Sequence, residues 1–231
     1  MLLPERKNFQ AVLFDLDGTL VDTAPDMAWA INQVLQDQQK APLPFGQIRP
    51  HVSAGSRGLV ELAFTKAGEP VLVEAQRLAL QQAFLDHYAQ HLCVDTQVFT
   101  GFEAALQLIE QQTTNIKTWG IVTNKPGWLA EPLIQQLGLA ERSACLVSGD
   151  TLLQRKPHPA PLLHACELID IDPQHCLYFG DDERDIVAAN ACQMPSAIAA
   201  FGYLRQESAL ANWPTDYYIN KPDDLVNWLN S

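Results

Sequence analysis

Five short apolar runs recur along this chain, and they constrain its fold more than any other feature. They are Ala11-Val12-Leu13-Phe14, Gly120-Ile121-Val122, Ala144-Cys145-Leu146-Val147, Cys176-Leu177-Tyr178-Phe179 and Ala197-Ile198-Ala199. Such runs are too short for helices and show no polar alternation, so they read as strands buried on both faces, the mark of a parallel sheet. Helical segments lie between them. One is expected to start at a capping box, Thr100 with Glu103, and to continue through Leu106 and Ile109. Another runs from Pro126 through Leu133 and Ile134 to Leu137 and stops at Gly138, a residue suited to the position just past a helix. Strand and helix in alternation imply right-handed crossovers and an open α/β sheet with helices on both faces.

The rhythm breaks between about Asp22 and Asp95, where the period is helical and no strand is evident. Met27, Ile31, Val34 and Leu35 make one apolar stripe; Val60, Ala63, Phe64 and Ala67 a second; Leu78, Leu85, Tyr88 and Leu92 a third. The expected organisation is a sheet core from 1–21 and 96–231, with a helical insert at 22–95. An insert placed just after the first strand is expected to lie over the carboxyl edge of the sheet, where ligands bind in this architecture.

Composition excludes several classes. Asp and Glu outnumber Lys and Arg 27 to 15, for a net charge of -12. That field repels phosphate backbones and anionic membranes, so neither nucleic acid nor a membrane is an expected partner. No apolar run is long enough to span a bilayer, and the first ten residues lack the apolar centre of a secretory signal. The five cysteines (Cys93, Cys145, Cys166, Cys176, Cys192) form no C-x-x-C pair and read as free thiols of the core. A cytoplasmic location follows as the expectation.

Four polar motifs close the strands or the loops beside them. The first is Asp15-Leu16-Asp17-Gly18-Thr19, and the second is Thr123-Asn124-Lys125. Lys156-Pro157 and Gly180-Asp181-Asp182-Glu183-Arg184-Asp185 follow. With a period of two, Asp15 and Asp17 project to the same side, and Gly18 permits the turn beyond them. Taken singly, D-x-D-G reads as a turn, Thr123-Asn124 as a strand end and Lys156-Pro157 as a loop; four in order at one sheet edge read as a site. A calcium loop is excluded, because Leu16 and Gly18 fall at wrong positions and no Glu stands twelfth.

The chemistry follows from charge. Asp15, Asp17, Asp181 and Asp185 would repel by about 4 kcal/mol per pair at ~4 Å and an effective dielectric of ~20. A hard divalent cation relieves that repulsion, and Mg²⁺ suits a few carboxylates together with water and a phosphate oxygen. Lys156 adds a positive charge and Thr123 a hydrogen bond for phosphate. A carboxylate in such a place can attack phosphorus, while Asp17 gives a proton to the leaving alcohol and later takes one from water.

These four motifs, in this order and strand context, resemble those of the haloacid dehalogenase superfamily across essentially the whole chain. The resemblance implies a Rossmann-like core with an inserted helical cap that selects the substrate. It implies Asp15 as nucleophile and Asp17 as acid and base. Mg²⁺ would be held by the Asp15 side chain, the Asp17 carbonyl and Asp181, with Asp185 supporting from behind, and Thr123, Asn124 and Lys156 would bind phosphate. Within the superfamily the chain is similar to phosphoglycolate phosphatases and, more narrowly, to bacterial N-acetylmuramic acid 6-phosphate phosphatases. Val122-Thr123-Asn124-Lys125-Pro126, Ala130-Glu131-Pro132-Leu133, the stretch from Gly138 to Ser143, and Val52-Ser53-Ala54-Gly55-Ser56-Arg57 carry that similarity. Ala54 stands where glycine is more usual, and Asp182 where many phosphoglycolate phosphatases carry Ser.

The implied substrate is a small phosphate ester bearing a carboxylate, either N-acetylmuramic acid 6-phosphate or 2-phosphoglycolate. Arg57 could bind that carboxylate, or simply face solvent on its helix. His87 and His91, at i and i+4, read as cap-surface residues in the absence of a third ligand. A phosphosugar mutase of the same superfamily and a non-catalytic phosphometabolite-binding module remain as alternatives. A dehalogenase is disfavoured, since it has no leaving alcohol for an Asp17 to protonate.

Overall fold

A computed structural model describes residues 3–68, 72–112, 114–204, 213–215 and 217–231. The chain divides into two compact units, one of residues 1–21 and 98–231 and one of residues 22–97.

The first unit is a parallel sheet. Its strands are β1 (Ala11–Phe14), β4 (Thr118–Val122), β5 (Leu146–Val147), β6 (Cys176–Gly180), β7 (Ser196–Ala199) and β8 (Tyr217–Ile219), in the spatial order β5-β4-β1-β6-β7-β8. β1 pairs with β4 on one side, Phe14 beside Ile121, and with β6 on the other, Phe14 beside Phe179. The sequence expected all of these strands except β8, a three-residue edge strand in parallel register with β7. The short β2 (Val21–Asp22) and β3 (Gln97–Val98) pair as a ribbon where the chain leaves the first unit and returns to it.

Successive side chains of β1 face opposite ways, and each meets a helical layer. Leu13 belongs to a buried cluster with Leu162, Ala165 and Cys166 of α7 (Ala160–Ile169) and Ala188 and Ala189 of α8 (Glu183–Ala191). Phe14 meets Phe102 of α5 (Phe102–Glu110) edge-on at 5.4 Å and stacks on Phe179 at 5.6 Å. α5 in turn packs against α9 (Asp223–Leu229). The sheet is therefore covered on both faces, as its unbroken apolar strands require.

One local expectation changes and one holds. Thr100 does not cap α5: the N-cap is Gly101, at φ 107, and Glu103 is drawn to Arg142 instead. The left-handed turn at Gly101 carries Thr100 out of capping position. α6 (Gly127–Gln136) does end before Gly138, at φ 69.

The second unit is helical: α1 (Ala24–Asp37), α2 (Phe45–Ile48), α3 (Gly55–Lys66) and α4 (Glu74–Gln90). α1 packs against α4, and α4 against α3. The stripe on α1 is buried as expected, and so are Val60, Ala63 and Phe64, whereas Ala67 is exposed. On α4 the buried face is Phe84 and Tyr88, while Leu78 is 56% exposed. At ~100° per residue Leu78 stands about 120° round the helix from Phe84, which puts it off that face.

The unit is closed by one carboxylate. Asp26 on α1 is fully buried and accepts the main-chain N–H groups of Val94 (3.0 Å), Asp95 (3.0 Å) and Thr96 (2.9 Å). A residue near the start of the unit thus fixes the segment that ends it.

Candidate active site

The site lies in the first unit, at the carboxyl ends of its central strands. β1 delivers Asp15, whose N–H still donates to Phe179 O at 2.8 Å, so the nucleophile candidate is held by the sheet itself. The chain then turns at Gly18, at φ +84, where any Cβ would overlap Asp181 and Tyr203. Only glycine fits that close approach. β6 delivers Asp181, buried, with Oδ2 accepting the Tyr203 N–H at 2.8 Å and Oδ1 the Thr19 hydroxyl at 3.3 Å. The first turn of α8 delivers Asp185, 1% exposed. One carboxylate oxygen from each of Asp15, Asp181 and Asp185 lies within 4.8 Å of the others.

Two lysines answer these acids. Lys156, in the loop after β5 and preceding a cis-proline, sends its ammonium into the cluster. Nζ lies 2.7 Å from Asp185 Oδ1 and 2.9 Å from Asp15 Oδ1, and donates to Val122 O and the Tyr178 hydroxyl, both at 2.8 Å. Burial alone would lower its pKa, but the charges of Asp15 and Asp185 raise it, so it stays protonated. Lys125 Nζ lies 2.9 Å from Asp17 Oδ1. Four carboxylates against two ammonium groups leave two negative charges.

Asp15 feels burial more than that excess. Burial, and then the charges of Asp185 and Asp17, push its pKa up to about 7 against the opposing pull of Lys156. Its Oδ1 is buried and accepts no well-directed hydrogen bond, although Lys156 is close. Three buried carboxylates gathered around one ammonium group fit a hard divalent cation such as Mg²⁺. Asp15, Asp181 and Asp185 are the side chains that could hold it.

The remaining motif residues frame this cluster. Thr123 is buried at the end of β4, and its hydroxyl oxygen accepts the Lys125 N–H at 3.1 Å, which leaves the hydroxyl proton to donate. Asn124 Nδ2 donates to the Lys156 carbonyl at 2.9 Å, so this side chain ties the two loops together. Asp182 caps α8: its Oδ1 accepts the Arg184 N–H at 3.0 Å and Nε at 2.7 Å. Serine would cap there equally well. Asp182 additionally holds the Arg184 guanidinium through both carboxylate oxygens, which a serine could not do.

Tyr178 was not read from the sequence as a site residue. Its hydroxyl donates to Val122 O at 2.8 Å, and burial followed by the charges of Asp185 and Asp15 raises its pKa, so it remains a neutral phenol. A tyrosine in a fully buried strand needs a partner for its hydroxyl, and that was the available signal.

In the second unit, Arg57 on α3 is exposed and paired with Glu61 Oε1 at 3.2 Å. The two histidines meet acids of α1 instead of solvent alone. His87 Nε2 lies 2.7 Å from Asp37, and His91 stacks on Trp29 at 3.9 Å with Nε2 3.4 Å from Asp26. Asp26 and Asp95 give His91 the neighbours that the sequence did not show. Asp26 already accepts main-chain N–H groups, so the cluster is explained as packing.

Comparison with known proteins gives one answer. Residues 9–193 match the haloacid dehalogenase-like hydrolase family. A phosphoglycolate phosphatase of Xanthomonas campestris is 44% identical over 216 residues, covering 94% of each chain. An N-acetylmuramic acid 6-phosphate phosphatase of Pseudomonas aeruginosa is 39% identical over 227 residues, covering 98% of this chain and 97% of that one. A solved structure of a predicted phosphoglycolate phosphatase from Haemophilus somnus superposes with a TM-score of 0.80 at 26% identity, covering 95% and 97%. A six-stranded parallel sheet that gathers the acidic residues of its first and fourth motifs at one edge is the setting this family match requires, and the chain belongs to the haloacid dehalogenase-like hydrolases.

Proposed function

We propose that this chain is a Mg²⁺-dependent phosphomonoesterase that works through an aspartyl-phosphate on Asp15. The observation that carries the reading is the gathering of Asp15, Asp181 and Asp185 within 4.8 Å of one another around the Lys156 ammonium, which pairs with Asp15 and Asp185. Phosphatase relatives at 44% and 39% identity support the reaction class.

Asp15 attacks phosphorus in line, forming an acyl phosphate as the bond to the leaving oxygen breaks. Asp17 gives that oxygen its proton, then takes one from the water that cleaves the acyl phosphate, and inorganic phosphate leaves. Lys156 and Thr123 hold the phosphoryl oxygens, and Asn124, whose side chain ties the Lys156 loop to the end of β4, completes the phosphate site beside them. The Asp15 side chain, the Asp17 carbonyl and Asp181, with Asp185 behind, would hold Mg²⁺, which would supply positive charge between the anionic substrate and the anionic nucleophile.

The substrate we propose is a small ester with a carboxylate, N-acetylmuramic acid 6-phosphate or 2-phosphoglycolate, the two named among the relatives. Residues 22–97 are proposed to select it, with Arg57 our candidate for its carboxylate. Among the described residues no helix is long and apolar enough to cross a membrane. The cysteines are free, which supports a cytoplasmic enzyme. Phosphate release from the two esters, compared as kcat/KM at matched Mg²⁺, tests the proposal. Preference for either one supports the reading and names the substrate, while release from neither, nor from other small phosphate esters, contradicts it.

A further inference from the structure

Lys125 has no part in the chemistry as described so far, yet its placement is unusual for a loop lysine. Its side chain is 4% exposed, and Nζ lies 2.9 Å from Asp17 Oδ1. Burying an ammonium group is costly, and a buried ion pair often adds nothing over apolar filling of the same volume. Stability alone therefore gives a poor account of it.

We propose that Lys125 is a positioning residue that holds the Asp17 carboxylate in the orientation from which it serves the leaving oxygen; this rests on the proposed role of Asp17. Asp17 needs such a hold. It lies past the end of β1, on the turn that Gly18 makes, and its side chain is 17% exposed where that of Asp185 is 2%. Lys125 can supply it because its own backbone is fixed at both ends. Its N–H donates to Thr123 Oγ1 at 3.1 Å, and its carbonyl accepts the Gly149 N–H at 2.9 Å. The ammonium thus reaches from the loop after β4, the strand beside β1, to the Asp17 carboxylate on the turn beyond β1. A displacement of ~1 Å in a reacting group can cost about 10²-fold in rate.

An acid aimed at a leaving oxygen matters for an alkoxide and little for a good leaving group. The test compares kcat/KM of wild type and Lys125→Met on an alkyl phosphate and on p-nitrophenyl phosphate. The expected loss is about 10²-fold on the alkyl ester and at least roughly tenfold smaller on the nitrophenyl ester. KM is expected to change little, and Lys125→Arg to recover most of the rate. In an Asp17→Asn background, Lys125→Met should add no further loss. Equal losses on both esters, or full additivity with Asp17→Asn, would overturn the positioning role. Should Lys125→Met fail to fold by circular dichroism, Lys125→Gln and Lys125→Arg carry the same comparison. A wild type that hydrolyses both esters while Lys125 variants show no leaving-group dependence removes this inference alone. A wild type that hydrolyses neither removes the phosphatase reading with it.

Discussion

Lys156 Nζ and Asp185 Oδ1 lie 2.7 Å apart, with both side chains 2% exposed. The same ammonium touches Asp15 at 2.9 Å, so one buried cation links the strand that carries the nucleophile candidate to the helix that follows β6. Lys156→Met leaves both carboxylates uncompensated in the core. The expected cost is about 3–5 kcal/mol of stability, read as a lower midpoint in urea. Phosphate release should fall by at least about 10²-fold.

Tyr178 holds that lysine from the strand side, its hydroxyl oxygen accepting a hydrogen bond from Nζ at 2.8 Å. Tyr178→Phe removes the hydrogen bonds with Lys156 and Val122 O while keeping the ring, so it should cost about 1–3 kcal/mol in stability. Its effect on kcat should be much smaller than that of Lys156→Met. A Tyr178→Phe enzyme as impaired as Lys156→Met would show that the phenol itself contacts substrate.

Asp26 should be the most sensitive polar residue of the second unit. Asp26→Ala strips the acceptor from the N–H groups of Val94, Asp95 and Thr96. The Thr96 donor is buried and costs ~1–3 kcal/mol when unsatisfied, while Val94 and Asp95 are exposed and can turn to water, so a total of about 1–3 kcal/mol is expected. Thermal unfolding of Asp26→Ala against wild type measures it. An unchanged midpoint would show that these donors find water instead.

Glu103 gives a pH signature in the first unit. The hydrogen bond from Arg142 lowers its pKa, against a smaller opposing effect of burial. A carboxylate depressed in the folded state adds stability that is present above its unfolded pKa of ~4.3 and disappears as pH falls through the lower folded value. Glu103 is about half exposed, so the contribution stays below about 1 kcal/mol. Arg142→Met should therefore be less stable than wild type at neutral pH, and the part of that gap due to Glu103 should close on acidification into the carboxylate range.

The sequence was readable where burial left an unbroken signature. β1, β4, β6 and β7 are apolar because both sheet faces are covered, and each appears as a run. β8 is three residues long, with an exposed Tyr218, and no period can be read from so short a stretch. The acids of the site were legible because residue type alone marks them. Lys125 was not, since a lysine after Thr-Asn reads as an exposed loop residue until the fold brings Asp17 to it. The capping role of Asp182 was not legible either, because sequence cannot separate a capping side chain from one that faces a ligand.

Asp15→Asn tests the central claim most directly, because it changes one atom of the attacking group and little else. Mg²⁺-dependent phosphate release by Asp15→Asn is predicted to fall by roughly 10⁴-fold or more, the scale expected when a nucleophile is lost. Turnover by that variant within about tenfold of wild type would contradict an aspartyl-phosphate on Asp15.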